Sequence, residues 1–137
     1  MKRADASKPV RVLLVEDQPL VREAIASEFR RDPDFDLVGE AGSLAEARGM
    51  VDRADVAILD LGLPDGFGGD LIPQIRAANP NAQVLVLTSS YDRAQVTQAV
   101  ESGVVVLDKT THLGRVAQAV RRLLAGERLT PSTEDLS

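Results

Sequence analysis

The sequence predicts an α/β fold, a doubly wound, five-stranded parallel sheet in the order 2-1-3-4-5. Short apolar runs, too brief for helices, alternate along the chain with stretches of helical periodicity, which is the signature of repeated β–α units. Right-handed crossovers with helices on both faces then favour that strand order. A further observation lies at the strand ends. Val12-Leu13-Leu14-Val15 runs into Glu16-Asp17, Ala54-Asp55-Val56-Ala57-Ile58-Leu59 into Asp60, Val84-Leu85-Val86-Leu87 into Thr88-Ser89, and Val104-Val105-Val106-Leu107 into Asp108-Lys109. In a parallel sheet these ends share one edge, where ligands bind in a crevice.

Taken in order, residues 1–9 form a leader that ends at Pro9, and Val10 to Val15 is the first strand. Pro19 suits the first turn of a helix, where a missing N–H costs nothing. Val21, Ala24, Ile25, Glu28 and Phe29 then recur at helical spacing, with the apolar members toward the core. Phe35 to Ala41 is the second strand. Ser43 and Glu46 match a capping box, each satisfying a backbone N–H at a helix start. The third strand leads to Asp60. Gly66-Phe67-Gly68-Gly69 shapes a turn into a helix through Leu71, Ile72 and Ile75, ending near Asn79-Pro80. The fourth strand covers 83–88, Asp92 opens a helix that Gly103 stops, and the fifth strand follows. Leu113, Val116, Ala117, Val120, Leu123 and Leu124 form the apolar stripe of a final helix that ends at Gly126. Five strands with five helices result. Residues 127–137 are read as a polar tail or the start of a linker.

Composition narrows the function classes. The 137 residues are 44% hydrophobic and 27% charged, a globular balance sized for one domain. A net charge of −5 and a pI near 4.9 argue against non-specific nucleic-acid binding by this segment. Without cysteine there is no disulfide or thiolate chemistry. Met1-Lys2-Arg3 has no apolar stretch behind it, so it is not a signal peptide, and no run approaches the ~20 apolar residues of a membrane helix. A cytoplasmic domain without membrane contact is the expectation.

The strand ends carry the chemistry. Adjacent carboxylates at Glu16-Asp17 repel and call for a cation, and hard oxygen ligands suit magnesium. Asp60 can cap the turn ahead of it, or it can attack phosphorus in line and form an acyl phosphate. The Thr88 hydroxyl is placed to bond a phosphoryl oxygen, and the Lys109 ammonium to pair with Asp60 or its phosphate. His112, the only histidine, stands at the start of the final helix as a surface residue. Gly66-Phe67-Gly68-Gly69 lacks the lysine and spacing of a phosphate-cradling loop.

Val12-Leu13-Leu14-Val15-Glu16-Asp17, Leu59-Asp60-Leu61-Gly62-Leu63-Pro64-Asp65-Gly66, Leu87-Thr88-Ser89 and Asp108-Lys109, in this order, resemble the receiver domain of two-component response regulators over residues 10–126. The resemblance implies a flavodoxin-like fold, Asp60 as phosphoacceptor and Mg2+ as cofactor. The metal ligands would be Asp17, Asp60, Glu16 through water, and the backbone carbonyl of Gly62. Thr88 and Lys109 would bind the phosphoryl group and carry the signal. A sensor histidine kinase would be the donor, and a homodimer is a further expectation. Such a domain is not an enzyme beyond its own phosphoryl transfer and dephosphorylation. Residues 120–128 look like the subfamily whose receivers precede a helix-turn-helix output domain. Val106 departs from the pattern: an aromatic residue usually stands three positions before the lysine and swings inward with the threonine. The approach from Gly103 to Lys109 is also about one residue short of the usual length. Tyr91 is either a substitute for that ring or a loop residue. Gly62 and Ser90 are small where the family places side chains that shield the phosphoryl group, which implies a short-lived phosphoform.

Three functions compete on these residues: a phosphorylatable receiver, a phosphorylation-independent interaction module, and a phosphatase-like enzyme with Asp60 as nucleophile. The last would want a second acid two residues on, and Gly62 is there instead.

Overall fold

The structure, a computed structural model, describes residues 8–89 and 92–126. Expectations for residues 1–7, for Ser90 and Tyr91, and for residues 127–137 lie outside the described residues. The elements in chain order are β1 (Val10–Val15), α1 (Pro19–Arg30), β2 (Phe35–Ala41), α2 (Leu44–Arg48), β3 (Val56–Leu59), β4 (Gly62–Leu63), β5 (Gly66–Phe67), α3 (Leu71–Ala78), β6 (Gln83–Thr88), α4 (Arg93–Glu101), β7 (Val105–Asp108), α5 (Lys109–His112) and α6 (Val116–Leu124). Short 3-10 turns at Val51–Arg53 and Gly68–Asp70 precede β3 and α3.

The main sheet is parallel, in the order β2-β1-β3-β6-β7. Setting the small hairpin β4–β5 aside, this is the expected 2-1-3-4-5. The register aligns Val15 with Leu59, Leu59 with Val86, and Thr88 with Asp108, so the polar residues that follow these strands emerge at one edge.

Strands buried on both faces read as continuous apolar runs because successive side chains point to opposite sides. Leu13, Val15, Ala57, Leu59, Val84, Val86 and Val106 meet α2 and α3 on one face. Val12, Leu14, Val56, Ile58, Leu85, Leu87 and Leu107 meet α1 and α6 on the other. In that second core Phe29 of α1 stacks edge-on against Phe35, with ring centroids 5.0 Å apart. Removing a fully buried ring of this kind costs ~3–5 kcal/mol.

Several local expectations change. The α1 stripe is Ile25, Ala26 and Phe29, whereas Ala24 is exposed. Alanine is too small to mark which side of a helix faces inward. The final helical stretch is two helices, because Gly114, with φ at 91°, breaks the chain between them. Leu113 falls in that break and is 41% exposed, Leu124 is 39% exposed, and buried Ala119 takes a place in the stripe. His112 consequently ends α5 rather than opening the last helix, with Nδ1 2.9 Å from the Asp108 carbonyl oxygen. Gly66-Phe67 is not only a turn: it pairs antiparallel with Gly62-Leu63. The Ser43 hydroxyl accepts from Glu46 N–H at 3.1 Å as a capping box requires, but Glu46 accepts from Gly42 N–H at 2.6 Å, one residue before the cap.

The start of α6 is capped from far away. The side chain of its own N-cap residue, Arg115, does not cap it. Glu28 on α1 accepts instead, from Gly114 N–H at 2.9 Å, Val116 N–H at 2.8 Å and Ala117 N–H at 3.1 Å. Two donors that the helix start leaves unpaired, and the Gly114 N–H just ahead of the N-cap, are thereby satisfied by one carboxylate. Glu28→Ala is expected to lower stability by about 1–2 kcal/mol, read as a fall in the urea midpoint. An unchanged midpoint would show that water replaces the carboxylate without loss.

Candidate functional site at the carboxyl edge of the sheet

The exits of β1, β3, β6 and β7 hold four buried polar side chains. Glu16, Asp60, Thr88 and Lys109 are 2%, 6%, 6% and 5% exposed. Such burial is tolerated only when charges are paired and hydrogen-bonded. Lys109 is the first residue of α5, directly after β7. Its Nζ lies 2.8 Å from Asp60 Oδ2 and 2.9 Å from Glu16 Oε1. The Thr88 hydroxyl donates to Asp60 Oδ1 at 3.0 Å, and Gly62 N–H approaches the same oxygen at 3.4 Å. Asp60 therefore makes a weak turn-capping contact and is also gripped by the two cross-strand donors.

The main chain around the acids is fixed too. Glu16 N–H donates to Ala41 O at 2.9 Å, and Arg22 Nη1 donates to Glu16 O at 2.7 Å. Gln18 N–H donates to Glu16 Oε2 at 3.0 Å, and Asp60 N–H to Val15 O at 3.0 Å. Burial pushes the Glu16 carboxyl above the ordinary carboxylate value, with the Asp60 charge adding, while Gln18 and Lys109 pull the other way. Burial acts to lower the Lys109 ammonium, but its bonds to Asp60 and Glu16 outweigh it and the group is raised.

Asp17 completes the acid group at the half-buried mouth of the crevice. Carboxylate oxygens of Glu16, Asp17 and Asp60 all lie within 4.8 Å of one another. Three carboxylates against one ammonium leave excess negative charge, and the donor set is all oxygen. The residues present fit a hard divalent cation.

Sequence reasoning passed over Asp65. It sits in the β4–β5 turn just beyond Asp60, and its carboxylate accepts from Leu44 N–H at 2.8 Å and Ala45 N–H at 3.0 Å. The loop leaving the acidic crevice is thus clipped to the start of α2. Within Pro64-Asp65-Gly66 an aspartate reads as an ordinary turn residue, and nothing local reveals a partner 20 residues back. Val106 is buried in the apolar core beside Val86, its register partner.

Residues 12–121 match the family described as the response regulator receiver domain. The chain belongs to that family. This receiver is 40% identical over 126 residues to the DNA-binding transcriptional activator DevR/DosR of Mycobacterium tuberculosis, covering 88% of the chain and 57% of that protein. It is 33% identical to the response regulator protein VraR of Staphylococcus saprophyticus, covering 87% of the chain and 58% of that protein. The receiver therefore spans little more than half the length of these curated relatives. Among solved structures it resembles a LuxR-family two-component response regulator from Aurantimonas, with 29% identity, a TM-score of 0.78, and 93% of this chain and 94% of that one covered. It also resembles the signal receiver domain of the putative response regulator NarL from Mycobacterium tuberculosis, at 28% identity and a TM-score of 0.75, covering 87% and 98% of the two chains. No helix among the described residues is long and apolar enough to cross a membrane.

Hydrogen bonds from Leu44 and Ala45 hold the Asp65 carboxyl below the usual carboxylate range. The unfolded chain takes up this proton near the ordinary value of 3.8, and the folded chain only at lower pH. The clip thus stabilises the fold above that value and stops doing so as pH falls through the folded one. Asp65→Asn is expected to be less stable than the parent at neutral pH and to converge on it in acid, measured as urea midpoints across the range. A gap independent of pH would sink this account of the clip.

Proposed function

We propose that this receiver accepts a phosphoryl group on Asp60 from a sensor histidine kinase in the cytoplasm, with magnesium required. The observation that carries the reading is the Asp60 carboxylate held between the Thr88 hydroxyl and the Lys109 ammonium beside two further acids. Asp17 and Asp60 would hold the metal directly, Glu16 through water, together with the main-chain carbonyl of Gly62. Bound there, magnesium supplies charge neutralisation to the carboxylate and phosphoryl oxygens.

The chain's own groups do the rest. A carboxylate oxygen of Asp60 attacks phosphorus as the bond from phosphorus to the donor's imidazole nitrogen breaks, which leaves an acyl phosphate. Lys109 and Thr88, already donating to Asp60, are within reach of the new phosphoryl oxygens. Lys109 also keeps Glu16 and Asp60 from repelling one another before transfer. Signalling would then proceed by altered contacts, with a second copy or with an output domain. Contact with DNA would fall to that output domain rather than to this acidic segment.

Acetyl phosphate with magnesium is expected to add one phosphoryl group, read by intact mass, and Asp60→Asn to abolish it without loss of fold. Chelation of the metal should suppress the gain. Equal labelling of the Asn variant, or an unchanged rate in chelator, would sink the assignment.

One observation favours a second reading, an interaction module whose output depends little on phosphorylation. Val106 is buried and short, so it cannot fill and vacate a pocket as a large ring would. Phosphorylation should alter amide exchange only slightly across residues 92–110 in the parent protein and more in Val106→Tyr. Strong protection of that region in the phosphorylated parent would overturn the expectation of a muted switch. Gly62 has no side chain, and beyond its chain neighbours no atom lies within 4 Å of where a Cβ would sit, which supports a phosphoryl group open to water.

A further inference from the structure

The geometry points to Gly68 as a positioning residue for the reactive carboxylate of Asp60, a role that rests on the reading of Asp60 as phosphoacceptor. Gly68 opens the 3-10 turn after β5 and is buried against the exit of β3. A methyl group added to it would overlap the main-chain oxygen of Asp60, with the Asp60 carbonyl carbon at 3.0 Å and Leu61 Cα at 3.1 Å. All three atoms are backbone, so no rotamer change relieves the collision. Gly68 N–H also donates to Leu61 O at 2.8 Å. One residue thereby bears on Asp60 by contact and on Leu61 by hydrogen bond.

Conformation does not demand a glycine here. The described glycines with positive φ are Gly66, Gly103, Gly114 and Gly126, and Gly68 is not among them. Close approach to another backbone demands it instead. The Asp60 main chain is held on its other side by its N–H bond to Val15 O, and the carboxylate by Thr88 and Lys109. Restoring an ordinary contact distance at position 68 needs a shift of the Asp60 carbonyl on the order of 1 Å, and misplacement of that size in aligned reactions costs ~100-fold.

Gly69 supplies the control. The three nearest atoms to a Cβ there all belong to the ring of Phe67, a half-buried side chain that can turn away, and none to the Asp60 backbone. The parent, Gly68→Ala and Gly69→Ala are compared for phosphoryl uptake from acetyl phosphate with magnesium, and for Mn2+ binding by nuclear magnetic relaxation. A stabilising osmolyte is present so that each is folded by circular dichroism. Gly68→Ala is expected to slow uptake by roughly tenfold or more per folded molecule and to weaken Mn2+ binding, while Gly69→Ala keeps both. A folded Gly68→Ala protein with parental rate and Mn2+ affinity overturns the proposal. So does a parallel loss in both variants that merely tracks stability, or a Gly68→Ala chain that stays unfolded in osmolyte while Gly69→Ala folds. If the parent takes up no phosphoryl group, the reading of Asp60 as acceptor fails, and the Mn2+ titrations alone decide the role of Gly68.

Discussion

Parallel strands that end together bring their following residues together, and in this chain those residues are mostly acids. The contact that makes the arrangement tenable is the Lys109 ammonium, seated 2.9 Å from Glu16 and 2.8 Å from Asp60. Both carboxylates are nearly sealed from water, and a buried charge left without its partner is strongly destabilising, by ~3–5 kcal/mol. The lysine directly follows the last strand of the sheet and the acids directly follow two interior strands, so the sheet must be complete before the charges are compensated. Register serves the same end. Thr88 aligns with Asp108, which sets Lys109 one residue further along, beside the group it neutralises.

Much of this was legible in the sequence because it depends on period and order. The strands Phe35–Ala41 and Gln83–Thr88 fall at the expected bounds; the second is a doubly buried apolar run, whereas the first is a mostly half-buried strand at the sheet edge. The convergence of Glu16, Asp17, Asp60, Thr88 and Lys109 followed once the strands were taken as parallel. Contacts between residues distant in sequence were not legible. Glu28 looks like one more polar position on α1, and only tertiary packing sets it against the start of α6. Asp65 looks like a turn residue, and its bonds lie across the fold. Gly68 looks like loop punctuation, yet its lack of a side chain is what lets two backbones meet.

The site and its surroundings differ in how firmly they are built. The acids are fixed by main-chain bonds from β1 to β2 and from β3 to β1, and the loop after Asp60 is clipped to α2. The α4 side is lighter: Ala99 is its one fully buried residue, against three on α3. A helix held by one small buried side chain and the half-buried Val96 loses little apolar burial on moving, which places it at the low end of local stability. Val106, buried in the same core as Ala99, is a short side chain without a ring.

The carboxylate of Glu28 has a consequence for how the chain assembles. A nine-residue helix is too short to persist alone in water, and α6 meets its cap only when residues more than 80 positions earlier are in place. Sequence separation of that kind slows folding, because a long loop must close before the contact rewards it. The last helix therefore behaves as an extension of the first rather than as a separate unit. Its amides are expected to open and close with those of α1, as one cooperative block along one face of the sheet.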